Sequence, residues 1–378
     1  MRITTHTSLE DIPAAAWNAL SKGRDPFLRH EFLVALERHE CVGERFGWLP
    51  RHLAAYDDAG ALIGAVPLYL KDNSYGEFVF DWAWADAYAR NGLAYYPKLV
   101  SAVPYTPATG SRLLIAGDAD KITVSNALIE AALELARDHD ASSLHWLFTP
   151  ADQTELLETH GLMRRTGCQF HWRNRGYRDF SDFLDTFSSA KRKKVKQERR
   201  HVSAAGIELE VLHGNTMSES QWHILHGFYR STFERKSGMP TLSLAFFQEI
   251  SRTMGESLVL IMARHQGEYV AGAICLRGAD TLYGRHWGCS ADYHSLHFEA
   301  CYYQGIEYCI QHGLQLFEPG AQGEHKISRG FLPTPTWSAH WIAHEGFRKI
   351  LERYTAQEGA HTLEYINELA EHTPYKSP

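Results

Sequence analysis

The sequence predicts a mixed α/β protein made of two similar halves. The chain has 378 residues, more than a single hydrophobic core usually accommodates. Hydrophobic residues make up 44% and charged residues 22% of the chain, a composition typical of globular proteins and unlike that of disordered chains or coiled coils. A hairpin, a helix and a strand follow each other in the same order in both halves, which favours a duplicated unit over one large sheet.

In the first half, residues 53–56 and 61–70 have the composition of two strands. The turn between them carries Asp57, Asp58 and Gly60, which is a hairpin signal. Residues 119–139 then place apolar side chains at helical spacing, and the short apolar run at 143–148 predicts a strand.

The second half repeats this order with stronger signals. Its predicted elements are, in order, strands at 258–264, 269–277 and 281–289, a helix at 296–312 and a strand at 314–317. Gly313 follows the helix as its C-cap. We therefore expect a first domain at 1–170, a second at 171–352 and a helical tail at 353–378. Two proline-bearing stretches, 103–107 and 332–335, are expected to be ordered, extended loops.

A basic helix is predicted at 188–205, between the two halves. Residues 191–200 carry seven positive groups and one negative, a local charge of +6 within a chain whose net charge is -7. Three interpretations stay open: the helix binds RNA phosphates, it lies on anionic lipid, or it is a solvated face paired with the acidic remainder of the chain. Nothing in the sequence indicates DNA as a partner.

The expected compartment is the cytoplasm. Apolar runs are far shorter than the ~20 residues of a membrane helix, and no apolar stretch follows the first residues as in a secretory signal. Six cysteines are scattered without a C-x-x-C pair, so we expect them to be reduced and mostly buried. Histidine pairs such as His294 and His297 have spacings that chance explains in a chain with 22 histidines, and no metal site is predicted.

Four segments carry a resemblance to a known family. They are SYGEFVFDWAW at 74–84, VPYTPATG at 103–110, GRHWGC at 284–289 and FEPGAQGEHK at 317–326. These stretches resemble the signatures of FemAB-like proteins, which are predicted N-acyltransferases connected with peptidoglycan biosynthesis or recognition. The order of hairpin, strand, helix and strand is likewise similar to the acetyltransferase-like (GNAT) fold.

The resemblance implies two tandem GNAT-like domains and the transfer of an acyl or aminoacyl group to an amine. The acceptor would be a small molecule or a peptidoglycan precursor, and the donor aminoacyl-tRNA or acyl-CoA, with no tightly bound cofactor. The turn at 290–295 contains no glycine, which disfavours acetyl-CoA, because enzymes of this fold hold its pyrophosphate on a glycine-rich turn. Two alternatives stay open: a non-catalytic module that binds cell-wall fragments, and a coenzyme A-dependent acetyltransferase for small molecules.

The predicted catalytic residues lie late in the second half. Glu318, His325 and Lys326 flank a glycine-bearing loop after a strand, where α/β proteins place their ligands; Lys326 is expected to contact an anionic group and Glu318 or His325 to take a proton. Arg285 and His286 lie on the preceding strand. Strand alternation predicts that only one of them faces the cleft, and we favour His286 as a base, with Arg285 as a substrate-binding residue.

The first half supplies the other predicted substrate-binding residues. Trp82 belongs to a cluster of aromatic residues that follows the hairpin, and Tyr105, Thr106 and Arg112 come soon after it. Aromatic faces beside hydroxyl groups and an arginine suit a sugar or peptide that carries a carboxylate or phosphate. Most of the aromatic residues are expected to fill a core, whereas the proline-bounded loop predicts an exposed, fixed shape around Tyr105 and Arg112.

Overall fold

The computed structural model describes residues 1–235, 238–321 and 323–376. The chain forms two compact units, and the first combines Met1–Cys168 with Pro335–Ile366. The second combines Gln169–Thr334 with Asn367–Pro378. The predicted domain limits at 170 and 352 stay predictions. Residues 335–366 follow the long segment of the second unit in the chain but belong to the first unit.

Strands and helices alternate along much of the chain. The strands are β1 Arg2–His6, β2 Trp48–Pro50, β3 His52–Tyr56, β4 Leu62–Val66, β5 Leu68–Lys71, β6 Lys98–Ser101, β7 Leu114–Ile115, β8 Ser143–Thr149, β9 Met163–Arg173, β10 Ile207–His213, β11 Leu258–His265, β12 Glu268–Arg277, β13 Thr281–Cys289, β14 Leu316–Glu318 and β15 Leu332–Ile342. The helices are α1 Ala14–Ser21, α2 His30–Arg38, α3 Trp82–Arg90, α4 Lys121–Asp138, α5 Ala151–Thr159, α6 Phe180–Asp185, α7 Ser189–Ala204, α8 Glu219–Arg235, α9 Leu244–Met254, α10 Leu296–Phe298, α11 Gln304–Gln311 and α12 Glu345–Glu371. A π-helical segment, Glu299–Tyr303, joins α10 to α11.

The first unit contains two sheets. Strands β1, β3, β4 and β7 form an antiparallel sheet, in that order. In the other sheet β8 pairs in parallel with β6 and antiparallel with the end of β15, while β5 lies between β6 and β2. Helix α4 packs its buried side chains, among them Leu128 and Ala132, against Leu144 and Trp146 of β8. The four-residue spacing of α4's apolar side chains makes one face of the helix apolar, as a helix on a sheet requires.

The second unit is built on the antiparallel series β10, β11, β12 and β13. Strand β14 extends this sheet in parallel with β13 and pairs on its other side with Trp172 and Arg173 at the end of β9. Strands β11 and β12 are almost wholly buried. This burial explains why both strands appear in the sequence as near-continuous apolar runs.

Most predicted elements of the second half are confirmed within one residue or so. The predicted helix at 296–312 exists, but its π-helical segment was not foreseen. The predicted loop at 332–335 is wrong: Pro333 and Pro335 lie in β15, because the extended backbone that proline imposes is also that of a strand. Among the described residues no helix is both long enough and apolar enough to cross a bilayer.

Candidate active site

The two parallel strands β13 and β14 pair over a short stretch only. Thr281, Leu282 and Tyr283 pair with Leu316, Phe317 and Glu318. Beyond Tyr283, β13 continues to Cys289, whereas β14 ends at Glu318. A cavity of about 350 Å³ lies beside β13 and the loop that follows β14.

The cavity is lined by four parts of the second unit. They are residues 273–275 of β12, residues 284–287 of β13, the helical residues His297, Cys301 and Tyr302, and the loop residues Pro319, Gly320, Ala321, His325 and Lys326. The glycine-bearing loop that the sequence singles out therefore forms one wall of the cavity. Gln322 of this loop lies outside the described residues.

A β-bulge brings two consecutive residues of β13 to this cavity. Ile274 pairs with His286 and Cys275 with Gly284, so that Arg285 is an extra residue on β13. Such an insertion breaks the alternation of side chains between the faces of a sheet. Both Arg285 and His286 lie along the wall of the cavity, and the prediction that only one of the two side chains faces the cleft stays a prediction.

Glycines allow the loop to pass close to β13. A β-carbon added at Gly284 would lie 3.2 Å from the α-carbon of Pro319. Gly320 and Gly323 have φ angles of 100° and 116°, a region that residues with a β-carbon rarely adopt. The close backbone approach therefore lies at Gly284, and the positive φ angles of Gly320 and Gly323 shape the loop that forms this wall.

Arg285 lines the cavity, whereas the predicted catalytic residue Glu318 is not among the described residues that line it. Burial lowers the pKa of the Arg285 guanidinium to about 10, while the negative charge of Glu318 opposes this shift. The Glu318 side chain is buried, with 4% exposed, at the last position of β14. Because Arg285 keeps its charge at neutral pH, it offers a fixed cation to a ligand in the cavity.

Lys326 is a buried cation on the loop. Only 2% of it is exposed, and its Nζ donates a hydrogen bond of 2.6 Å to the carbonyl oxygen of Gly320. Burial lowers the pKa of Lys326 to about 8. The Nζ therefore remains mainly protonated at neutral pH but loses its proton more readily than an exposed lysine.

His325 shares a hydrogen bond of 2.9 Å between its Nε2 and the hydroxyl of Tyr302. Burial, together with the charges of Arg329 and Lys326, lowers the pKa of His325, so its imidazole is neutral near pH 7 and able to accept a proton. Tyr302 was missed in the sequence. It lies in the π-helical segment Glu299–Tyr303, and a regular helical period contains no signal for such a turn, although π-turns are frequent at functional sites.

His286 is the weaker base of the two predicted histidines. Its ring contacts Tyr229 edge-on, with centroids 4.8 Å apart. Burial and the neighbouring Arg285 lower its pKa to about 3. An imidazole with this pKa binds a proton poorly at neutral pH, so it serves better as a hydrogen-bonding group than as a general base.

A family model described as FemAB-like, for peptidoglycan biosynthesis/recognition, matches residues 8–377. The chain belongs to the FemAB-like family. A search of curated proteins gives no match to it.

Solved structures similar to this FemAB-like protein have low sequence identity. FemX has 12% identity and a TM-score of 0.55, with 93% of this chain and 100% of FemX covered. The C-terminal domain of a putative lysylphosphatidylglycerol synthetase from Agrobacterium fabrum has 10% identity and a TM-score of 0.54, with 93% and 97% covered. L-PGS from Bacillus licheniformis has 12% identity and a TM-score of 0.51, with 88% and 97% covered. The predicted fold class, mixed α/β with tandem GNAT-like domains, is confirmed.

Arg112 of the FemAB-like chain lies in the interior of the first unit. It is fully buried, and its guanidinium donates to the carbonyl oxygens of Leu147, Ala108, Gly110 and Ser111 at 2.9 to 3.2 Å. The expectation of an exposed loop at this position is wrong, because backbone carbonyls supply the partners that water would otherwise give.

The other predicted residues of the first half are also in the first unit. Tyr105 is 9% exposed and donates from its hydroxyl to the carbonyl oxygen of Cys41 at 2.7 Å. The buried hydroxyl of Thr106 donates to the carbonyl oxygen of Pro104 at 3.0 Å. Trp82 is different, since 42% of it is exposed. Of these residues, Trp82 alone has a largely accessible side chain.

The FemAB-like cavity combines groups that acyl transfer requires. Arg285 and Lys326 are cations suited to an anionic group or a developing oxyanion, and His325 is a neutral base beside them. Among the described residues, no group of three or more histidine, cysteine, aspartate or glutamate side chains is placed to hold a metal ion. The cavity thus brings two cations and a neutral imidazole together.

Proposed function

We propose that this protein transfers an acyl or aminoacyl group to an amine and that the transfer occurs in the cavity beside β13 and β14. One observation carries the proposal: Arg285, His325 and Lys326 line a single cavity in the second unit, between β13 and the loop that follows β14. Membership of the FemAB-like family supports the same class of reaction.

The roles follow from the charges. In the proposed step the acceptor amine gives a proton to His325 and attacks the acyl carbonyl carbon. The cationic Lys326 stabilises the negative charge that develops on the carbonyl oxygen, and Arg285 binds an anionic group of the substrate. When the tetrahedral intermediate collapses, the bond to the donor's oxygen or sulfur breaks, and the proton returns from His325 to that leaving atom.

For the acceptor we propose an amine of a peptidoglycan precursor. The description of the family, peptidoglycan biosynthesis/recognition, supports this substrate. The fold that the chain shares with FemX is compatible with it.

For the donor we propose aminoacyl-tRNA before acyl-CoA. Two arginines of α7 are paired: Arg192 pairs with Asp185, and Arg199 pairs with Glu299 and Glu307. Four others are exposed, and among the described residues none has an ion-pair partner; they are Lys193, Lys194, Lys196 and Arg200. An exposed row of unneutralised cations suits a phosphate backbone. The turn at 290–295, which lacks glycine, suits coenzyme A less well.

The test is turnover with a panel of aminoacyl-tRNA and acyl-CoA donors and with amine acceptors that include a peptidoglycan precursor. Lys326→Met should lower kcat by roughly a hundredfold or more, the size of effect seen when one oxyanion donor is removed. Lys349→Met is the matched control, because Lys349 is an exposed lysine with 68% of its side chain accessible. It should leave the rate unchanged.

The outcomes separate the alternatives. Consumption of a donor that depends on Lys326 supports the transferase. If no donor is consumed while a cell-wall fragment binds saturably, the protein is a binding module. Turnover with acetyl-CoA and small amines alone would make it a small-molecule acetyltransferase.

A further inference from the structure

Aromatic side chains are exposed on one loop of the first unit. Tyr75, Phe78, Phe80 and Trp82 have 70%, 40%, 55% and 42% of their surface accessible. The rings of Tyr75 and Trp82 are in contact, with centroids 5.0 Å apart. Large apolar side chains that cluster on a surface usually mark a binding site. We name residues 75–82 the aromatic loop.

Buried charges fix the base of the aromatic loop. The ammonium group of Lys98, which is fully buried, donates to Glu77 at 2.9 Å and to Ser74 at 2.8 Å, and it also pairs with Asp81. The Nζ of Lys71 donates to the carbonyl oxygen of Tyr75 at 3.1 Å. A loop held in this way presents its rings in one arrangement, which reduces the entropy lost on binding.

Helix α12 carries a groove of about 410 Å³ in the same unit. Tyr354 and Tyr365, exposed by 44% and 38%, lie at its two ends, about 16 Å apart along the axis at 1.5 Å per residue. Polar side chains line the groove between them, and they are Gln357, Glu358, His361 and Thr362. The groove therefore has an aromatic ring at each end and hydrogen-bonding groups between them.

Arg165 connects the aromatic loop to this groove. Its NH1 donates to the carbonyl oxygen of Phe80 at 2.8 Å, while its Nε and NH2 donate to the carboxylate of Glu358 at 2.7 and 2.8 Å. Glu358 in turn accepts from the Tyr354 hydroxyl at 3.2 Å. One guanidinium thus joins the loop and the groove into one surface.

We propose that the aromatic loop and the α12 groove form a saccharide-binding site. A sugar ring has an apolar face of C–H groups that packs on an aromatic ring, and hydroxyls at its edge that bond to amide, carboxylate and imidazole groups. The polar residues between Tyr354 and Tyr365 match the second requirement. The length of the groove matches a chain of several sugars better than a single one.

The charges of the surface favour a neutral sugar chain over an anionic membrane. Asp72 is exposed beside the loop, and Glu358 lines the groove. The guanidinium of Arg165 is engaged by Glu358 and by the Phe80 carbonyl oxygen. Because Arg165 is paired with Glu358, it is not available to an anionic lipid headgroup, whereas aromatic anchors of membrane proteins are usually accompanied by basic residues.

The assignment of the saccharide as part of the acceptor rests on the proposed function. The site would hold the sugar portion of a peptidoglycan precursor or fragment. Saccharide binding itself does not depend on transfer, and it is measured without any acyl donor.

The experiment measures binding of short N-acetylglucosamine oligomers to the full chain by calorimetry and by tryptophan fluorescence. We expect saturable binding that weakens at least about tenfold in Tyr354→Ala and in Trp82→Ala, since each stacked ring contributes on the order of a tenfold change in affinity. Tyr354→Phe, which keeps the ring, should retain most of the affinity. Leu363→Ala removes an exposed residue of α12, 49% accessible, that does not line the groove, and it should bind as the native chain does.

Three results would overturn the proposal. They are no saturable binding by the native chain, equal binding by native and Tyr354→Ala proteins, and loss in Tyr354→Ala of lipid-vesicle binding or self-association without any saccharide binding. Circular dichroism melting checks that each variant is folded. Transfer assays with a sugar-free stem peptide then separate the two proposals. Transfer together with intact saccharide binding supports both, and saccharide binding without transfer supports the saccharide site but not the transferase.

Discussion

The carboxylate of Glu198 accepts two hydrogen bonds from the guanidinium of Arg329, at 2.6 and 3.1 Å. The same guanidinium donates to the carbonyl oxygen of His325 at 2.6 Å. Tyr303 also donates its hydroxyl to Glu198. Through Glu198, helix α7 thus contacts the turn that carries His325 and Lys326. The same carboxylate contacts the π-helical segment Glu299–Tyr303 through Tyr303. Glu198 is a positioning residue of the proposed site, since it acts through Arg329.

Glu198→Gln should therefore destabilise the second unit. The Arg329 side chain is 4% exposed, and removal of one partner of a buried ion pair costs about 3 to 5 kcal/mol. Urea unfolding measures the loss. Glu234→Gln, at an exposed pair with Arg230, should change the free energy of unfolding by less than about 1 kcal/mol. Equal effects of the two substitutions would contradict the role of Glu198.

Lys326 should make the free energy of unfolding depend on pH in the alkaline range. Its pKa is about 8 when folded against an ordinary value of 10.5. Between these values the unfolded chain binds a proton that the folded chain does not, so the free energy of unfolding rises with pH across this window. The difference in free energy of unfolding between native and Lys326→Met proteins should grow by about 3 kcal/mol from pH 8 to pH 10.5.

The control for this titration is Lys194→Met, which removes an exposed lysine of α7. The pH dependence of Lys326→Met is compared with that of Lys194→Met over the same pH range. Equal pH dependence of the two variants would show that Lys326 is solvated in the folded chain.

The His286 imidazole should stay neutral well into the acid range. Burial lowers its pKa to about 3, so its ring signals in a heteronuclear NMR spectrum should not shift between pH 8 and pH 5. An ordinary histidine titrates near 6.5, and a titration of His286 near that value would rule out the buried environment. Because the folded chain binds fewer protons than the unfolded one, His286 should also destabilise the chain progressively as the pH falls below 6.5.

The second half of the fold could be read from the sequence because its signals are local. Strands β11 and β12 are buried on both faces and therefore appear as continuous apolar runs. The glycines of the late loop also mark where the backbone adopts positive φ. The candidate loop with His325 and Lys326 was found for that reason.

Other features depend on contacts between distant parts of the chain. Glu198 and Arg329 are 131 residues apart, and no pattern in a window of sequence reports their pairing. The bulge at Arg285 reverses the side-chain alternation that a regular strand would have. Arg112 looked like an exposed anion-binding residue because the carbonyl groups that surround it have no sequence signature.

Arg112→Met distinguishes a structural role from substrate binding. The substitution leaves backbone carbonyls without partners and removes the positive charge that opposes the effect of burial on the Asp25 carboxylate. We expect a loss of about 3 to 5 kcal/mol in the free energy of unfolding. Arg90→Met removes an exposed arginine, 76% accessible, and should cost less than about 0.5 kcal/mol. A stable Arg112→Met protein with weakened acceptor binding would restore the substrate-binding role.

Gly288→Ala should be among the most damaging single substitutions in the second unit. A β-carbon at Gly288 would lie 2.0 Å from the carbonyl oxygen of Phe228, so β13 and helix α8 would have to move apart, at a cost of about 3 kcal/mol or more. Gly227→Ala is the matched control, because a β-carbon there meets nothing within 4 Å. In the interior of a helix that change should stabilise the chain by up to about 1 kcal/mol. Thermal unfolding of both variants measures the contrast, and a Gly288→Ala protein as stable as the native chain would show that α8 does not pack directly on β13.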